Sequence, residues 1–218
     1  YLYRTLTQNF WLIDHYPGYI FNFEGAVRYQ WAKEYYPTEY ERLKNYIKAG
    51  RWNISGSSWD STDPNIPSPE SFFRNLLYGQ EFFKKEFGKK SNDIFLPDCF
   101  GFGYTLPTIA AHSGIIGFST QKLQHRKLPF YGDHKLPFMF GLWEGIDGAR
   151  IMAVPHAQDY VSRFDGQELS NNGKLVDLAK NGLNNTVYHY YGAGDRGGSP
   201  TIASVRSVET GMKGEGPV

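Results

Sequence analysis

Asp98 stands at the end of a short apolar run, Ile94-Phe95-Leu96, within the stretch IFLPDCFGFGYTLP (Ile94–Pro107). In an α/β protein this pattern is a strand that carries an acidic side chain to the C-terminal rim of a sheet or barrel, where chemistry is housed. Gly101 and Gly103 let the backbone turn tightly beside the acid. Phe100, Phe102 and Tyr104 offer flat apolar faces at the same rim. A carboxylate, a turn and aromatic walls suit the cleavage of a sugar. The competing role for Asp98 is to cap the helix that follows, and spacing alone leaves both open.

A second acid is needed if the chemistry is retaining glycoside hydrolysis, which uses two carboxyl groups about 5–5.5 Å apart. Asp195, in GAGDRGGSP, follows a strand expected over Thr186–Tyr191, so its side chain should face the same rim. A turn aspartate in a glycine loop is the commoner role for a residue so placed. Asp159 and Asp60 compete with it, Asp60 reading better as a sugar-pocket or loop hydrogen-bonding residue. The glycine-rich run lacks the lysine of a phosphate loop, which sets nucleotide binding aside. His15, His112, His125, His134, His156 and His189 show no ligand spacing such as His-x-His, and each reads as structural or solvated.

The elements that must position these groups alternate between helix and strand, which predicts an α/β fold with mostly parallel strands. A helix opens the chain on Leu2, Leu6, Phe10 and Ile13. Strands are expected at 19–25, 51–55, 93–96, 115–120, 138–144 and 150–155, the last two flanking the turn Ile146-Asp147-Gly148. Thr38 and Glu41 form the pattern of a capping box ahead of a helix with Tyr40, Leu43 and Ile47 on one face. Ser68 caps a further helix with Pro69 at its first position. A short helix is expected over 106–113 and another over 175–183, and 124–137 reads as a loop. No internal repeat or linker stands out, so the chain reads as one domain over 1–218.

The charge is near balance, +1 from 23 Lys+Arg against 22 Asp+Glu, and no basic cluster marks a nucleic-acid surface. No apolar run approaches the ~20 residues of a membrane span. A single cysteine, Cys99, excludes an intrachain disulfide. Aromatics reach 17%, enough for a large core and for a sugar-stacking cleft together. Because the chain starts at Tyr1 inside a helix, it is expected to be a fragment.

LPDCFGFGYTLPTIAAHSGIIGFSTQKL resembles the signature of glycoside hydrolase family 38, the retaining α-mannosidases, in its bacterial branch. YIFNFEGA, GRWNISGSSWDSTDPNIPSPES, FFKKEFG, LWEGIDGARI and YYGAGDRGGSPT resemble the same family in the same order, across nearly the whole chain. The resemblance implies a partial (β/α)7-type barrel, incomplete within 1–218, and an exo-acting α-mannosidase that works on α-mannoside glycans through a covalent intermediate. It assigns Asp98 as nucleophile and gives Asp195 the acid/base position. It places Phe100 against the sugar, Lys122 near substrate, and Trp59 and Asp60 as weaker substrate-binding candidates. It implies a divalent metal, zinc foremost, held by Asp98 and by ligands expected outside this chain. No nucleic-acid or membrane partner is expected, a homo-oligomer is compatible, and the expected compartment is a bacterial cytoplasm or periplasm. The competing readings are a polysaccharide deacetylase-like enzyme, whose His-x3-5-His spacing is absent, and a non-catalytic carbohydrate-binding module.

Overall fold

In the computed structural model, three parallel strands carry the rim that the sequence points to: β3 (Asp93–Phe95), β4 (Gly117–Ser119) and β8 (Arg150–Val154). Phe95 pairs with Ser119 and Ser119 with Val154, so the C-terminal ends of the three strands lie level. The antiparallel strand β7 (Gly141–Glu144) completes the sheet in the order β3-β4-β8-β7. The residues described are all but 124, 125, 129–131, 135, 137, 165–168, 170, 171, 181–184 and 214–218. Two compact units are present, one built from Tyr1–Asn22, Tyr29–Asn53 and Gln158–Val218, the other from Phe23–Arg28 and Ile54–Ala157.

The second unit holds this sheet. Alternate residues of a strand share a face, and Ile94, Leu96, Phe118, Ile151 and Ala153 are buried, whereas Arg150 and Met152 between and beside them are exposed. Helix α5 (Leu106–His112) covers them with Leu106 and Ala110, and stops at Gly114, whose φ of 74° suits glycine. Helix α4 (Pro69–Phe87) adds Phe72 and Leu76. It begins as predicted: Ser68 Oγ accepts the Ser71 N–H at 3.2 Å, and Pro69 occupies the first turn.

The first unit packs α1 (Leu2–His15) and α3 (Pro37–Lys48) through Phe10, Leu12, Leu43 and Ile47. Trp52 stands 5.7 Å from the Phe10 ring, and its indole N–H donates to Tyr29 Oη at 3.0 Å. Arg51 closes the end of α1 by donating to the carbonyls of Ile13, Tyr16 and Tyr19. Helices α6 (Gly173–Lys180) and α7 (Ile202–Met212) complete it. Strands β1 (Phe21–Glu24) and β2 (Trp52–Ser55) pair with each other.

This is the α/β class with mostly parallel strands that the alternation predicts. Four local readings change. Thr38 lies inside the first turn of α3, because Pro37 starts the helix after Tyr36, and no side chain caps it. Helix α2 (Ala26–Tyr35) was hidden by weak amphipathicity. The expected loop 124–137 contains the hairpin β5 (Arg126–Leu128) and β6 (Gly132–His134). Residues 186–191 are not in a strand, so the expected strand ahead of Asp195 is not formed there.

Candidate active site

Asp98, three residues beyond β3, and Lys122, three beyond β4, leave the level strand ends at matching positions. The side chains meet there: Lys122 Nζ is 2.5 Å from Asp98 Oδ1. The same ammonium sits 4.8 Å from the centre of the Phe100 ring, a cation–π distance. Phe100 is 78% exposed, an apolar face left open at the rim. Lys122 is half-withdrawn, and its backbone N–H donates to Thr120 Oγ1 at 3.2 Å. His156, just past β8, bonds the Gln121 carbonyl through Nδ1 at 2.8 Å and so steadies the turn that carries Lys122. Cys99, next to the acid, is buried, which pushes its thiol up to about 12.

The remaining candidates have other partners. Asp60 pairs with Arg28 at 2.9 Å and exchanges hydrogen bonds with Asn75. It lines a groove of about 260 Å³ with Ser61, Thr62 and Phe72. Trp59 lines another, of about 410 Å³, with Tyr78, Glu81, Phe82 and Lys85.

Asp195 and Asp159 belong to the first unit. Asp195 has φ 58°, a left-handed conformation that aspartate tolerates better than most residues. Its Oδ1 accepts from Tyr160 Oη at 2.7 Å. The Tyr160 ring lies where a Cβ on Gly194 would be, 1.7 Å from its nearest atom, so glycine is required beside this acid. The loop is strapped to α1: Asn9 Nδ2 donates to the Gly198 carbonyl and Gly198 N–H donates to Thr5 Oγ1, each at 2.8 Å. Asp159 instead shapes its own turn, accepting the Val161 N–H at 2.9 Å.

Sequence reasoning missed Glu24 and Asp63. Glu24, at the C-terminal end of β1, has a side chain only 16% exposed. It accepts from Ser61 Oγ at 2.8 Å and faces Arg28 at 3.2 Å. Burial pushes its carboxyl above the ordinary 4.5, against the opposing pull of Arg28 and Ser61. Position at a strand end, the signal used for Asp98, would have found it. Asp63 accepts the Phe100 N–H at 3.4 Å and the Asn65 N–H at 3.0 Å.

A carboxylate, an ammonium and an exposed ring stand together at the C-terminal rim of these parallel strands. The chain belongs to the glycosyl hydrolases family 38 N-terminal domain, which it matches over residues 1–215. It is 41% identical over 209 residues to Alpha-mannosidase G of Dictyostelium discoideum, covering 94% of this chain and 18% of that protein. It is 34% identical over 194 residues to Alpha-mannosidase 2C1 of Homo sapiens, covering 87% of this chain and 18% of that protein. The chain thus spans about a fifth of the length of these curated relatives. An alpha-mannosidase crystal structure from Enterococcus faecalis V583 superposes with a TM-score of 0.72 at 19% identity, over 97% of this chain and 24% of that one, a likeness of fold. No described helix is long and apolar enough to cross a membrane.

Proposed function

We propose that this chain carries the nucleophile of a retaining exo-α-mannosidase that removes terminal α-mannosyl residues from glycans. The observation that carries the reading is the Lys122–Asp98–Phe100 cluster at the rim of a family 38 domain. Asp98 attacks the anomeric carbon and the glycosidic oxygen departs with a proton. Water then displaces the Asp98 carboxylate, restoring the configuration. Phe100 stacks on the apolar face of the sugar, and Lys122 fixes the orientation of the carboxylate between turnovers. Asp195 protonates the leaving oxygen and later activates water, with Tyr160 holding its carboxyl in place.

A divalent ion, zinc foremost, enters this reading only through Asp98. Among the described residues no three His, Cys, Asp or Glu side chains converge on a point, and Asp98 Oδ1 faces the Lys122 ammonium. The donors described do not fit a metal centre by themselves. The test is Asp98→Ala in the intact polypeptide that carries this sequence. A loss of several orders of magnitude on an aryl α-mannoside is expected, since covalent catalysis has no second route. Near-normal turnover would refute the assignment.

A further inference from the structure

We propose that Asp63, seconded by Asn65, is a positioning residue that holds the Asp98 turn in register; this rests on the reading of Asp98 as nucleophile. Three consecutive residues after Asp98 each meet the segment 62–65. Cys99 Sγ donates to the Thr62 carbonyl at 3.3 Å. Phe100 N–H donates to Asp63 Oδ2 at 3.4 Å. Gly101 has φ 153°, and a Cβ there would lie 2.0 Å from Asn65 Nδ2, so the Asn65 amide occupies the space a side chain would take.

Asp63 is suited to this work by how its two oxygens are divided. Oδ1 accepts the Asn65 N–H at 3.0 Å and shapes the loop itself, a turn that aspartate makes through its own side chain. Oδ2 reaches out to the next strand's loop. The segment is anchored in turn, because Ser61 Oγ donates to Glu24 at the end of β1. A change at Asp63 therefore frees Phe100, whose ring lies against the Lys122 ammonium, and through it the group paired with the Asp98 carboxylate. Displacing a reacting group by about 1 Å can cost about 10²-fold in rate.

The experiment compares Asp63→Ala, Asp63→Asn, Asn65→Ala and Asp98→Ala in the intact polypeptide on one aryl α-mannoside, with thermal melts alongside. Asp63→Ala is expected to lower kcat by about 10²-fold while KM stays within about threefold. Asp63→Asn, which keeps one acceptor oxygen, should fall between it and the parent, and this graded recovery is what a merely structural role would not give. If Asp63→Ala does not fold, Asn65→Ala decides: a fall in kcat at unchanged KM supports the role and a parental kcat overturns it. A folded Asp63→Ala with parental kcat, or a loss confined to KM, overturns it as well. An active Asp98→Ala would instead overturn the nucleophile reading, and the positioning role with it.

Discussion

Lys122 Nζ lies 2.5 Å from Asp98 Oδ1, and the two side chains are 27% and 50% exposed. A pair this open to water contributes little to stability, about 0–1 kcal/mol. In the proposed reaction its role is geometric: it decides which carboxylate oxygen is left to attack. Lys122→Met should therefore leave the melting temperature within about 4 °C while kcat/KM on an aryl α-mannoside falls at least about tenfold. A large drop in melting temperature with unchanged kinetics would make the pair structural.

Asp195→Ala should separate substrates by leaving group. A poor leaving group needs protonation and should be slowed severely, whereas glycosylation by an activated aryl mannoside should be slowed far less. Added azide should restore turnover by replacing base-activated water. Equal losses on both substrates, without azide rescue, would pass the role to Asp159.

Glu24 gives a stability signature with a defined sign. Burial raises its folded pKa above the ordinary 4.5. The neutral form is thus favoured on folding, and that contribution is complete below the unfolded pKa and lost as pH rises through the folded one. Glu24→Gln should match the parent in melts near pH 4 and gain on it progressively as pH rises. A gain that is flat with pH would show that Glu24 ionises freely in the fold.

Asp147 gives the opposite case. Its Oδ1 accepts from Thr108 Oγ1 and its Oδ2 bonds His112 Nε2, each at 2.7 Å, tying the β7–β8 turn to α5. The Thr108 bond, followed by the His112 bond, lowers its pKa from 3.8 to about 2. The stabilisation is present above the unfolded pKa and lost as pH falls from about 4 toward 2. Asp147→Asn should melt below the parent at pH 6, and the gap should close across that window.

The strand ends were legible because buried parallel strands leave apolar runs, as Ile94-Phe95-Leu96 does before Asp98. Ser68 and Pro69 were legible because capping is chemistry within one turn. Thr38 misled for the same reason: its pattern fits a cap, but Pro37 one residue earlier had already set the first turn. Asp63 was not legible, since nothing local says that it would reach Phe100; Glu24 could be placed at a strand end, but its burial could not be read from its neighbours. Nor could spacing pair Lys122 with Asp98; that follows from the register of β3 and β4, which only folding sets.

The central claim is that Asp98 forms the covalent bond to sugar. Incubation of the intact polypeptide with a 2-deoxy-2-fluoro α-mannosyl donor bearing an activated leaving group, then digestion and peptide sequencing by mass, tests it directly. The account predicts one fluoromannosyl adduct, on the peptide containing Leu96–Phe102, at Asp98, and none in Asp98→Ala. An adduct on another carboxylate, or turnover of activated mannosides with no adduct at all, would contradict it.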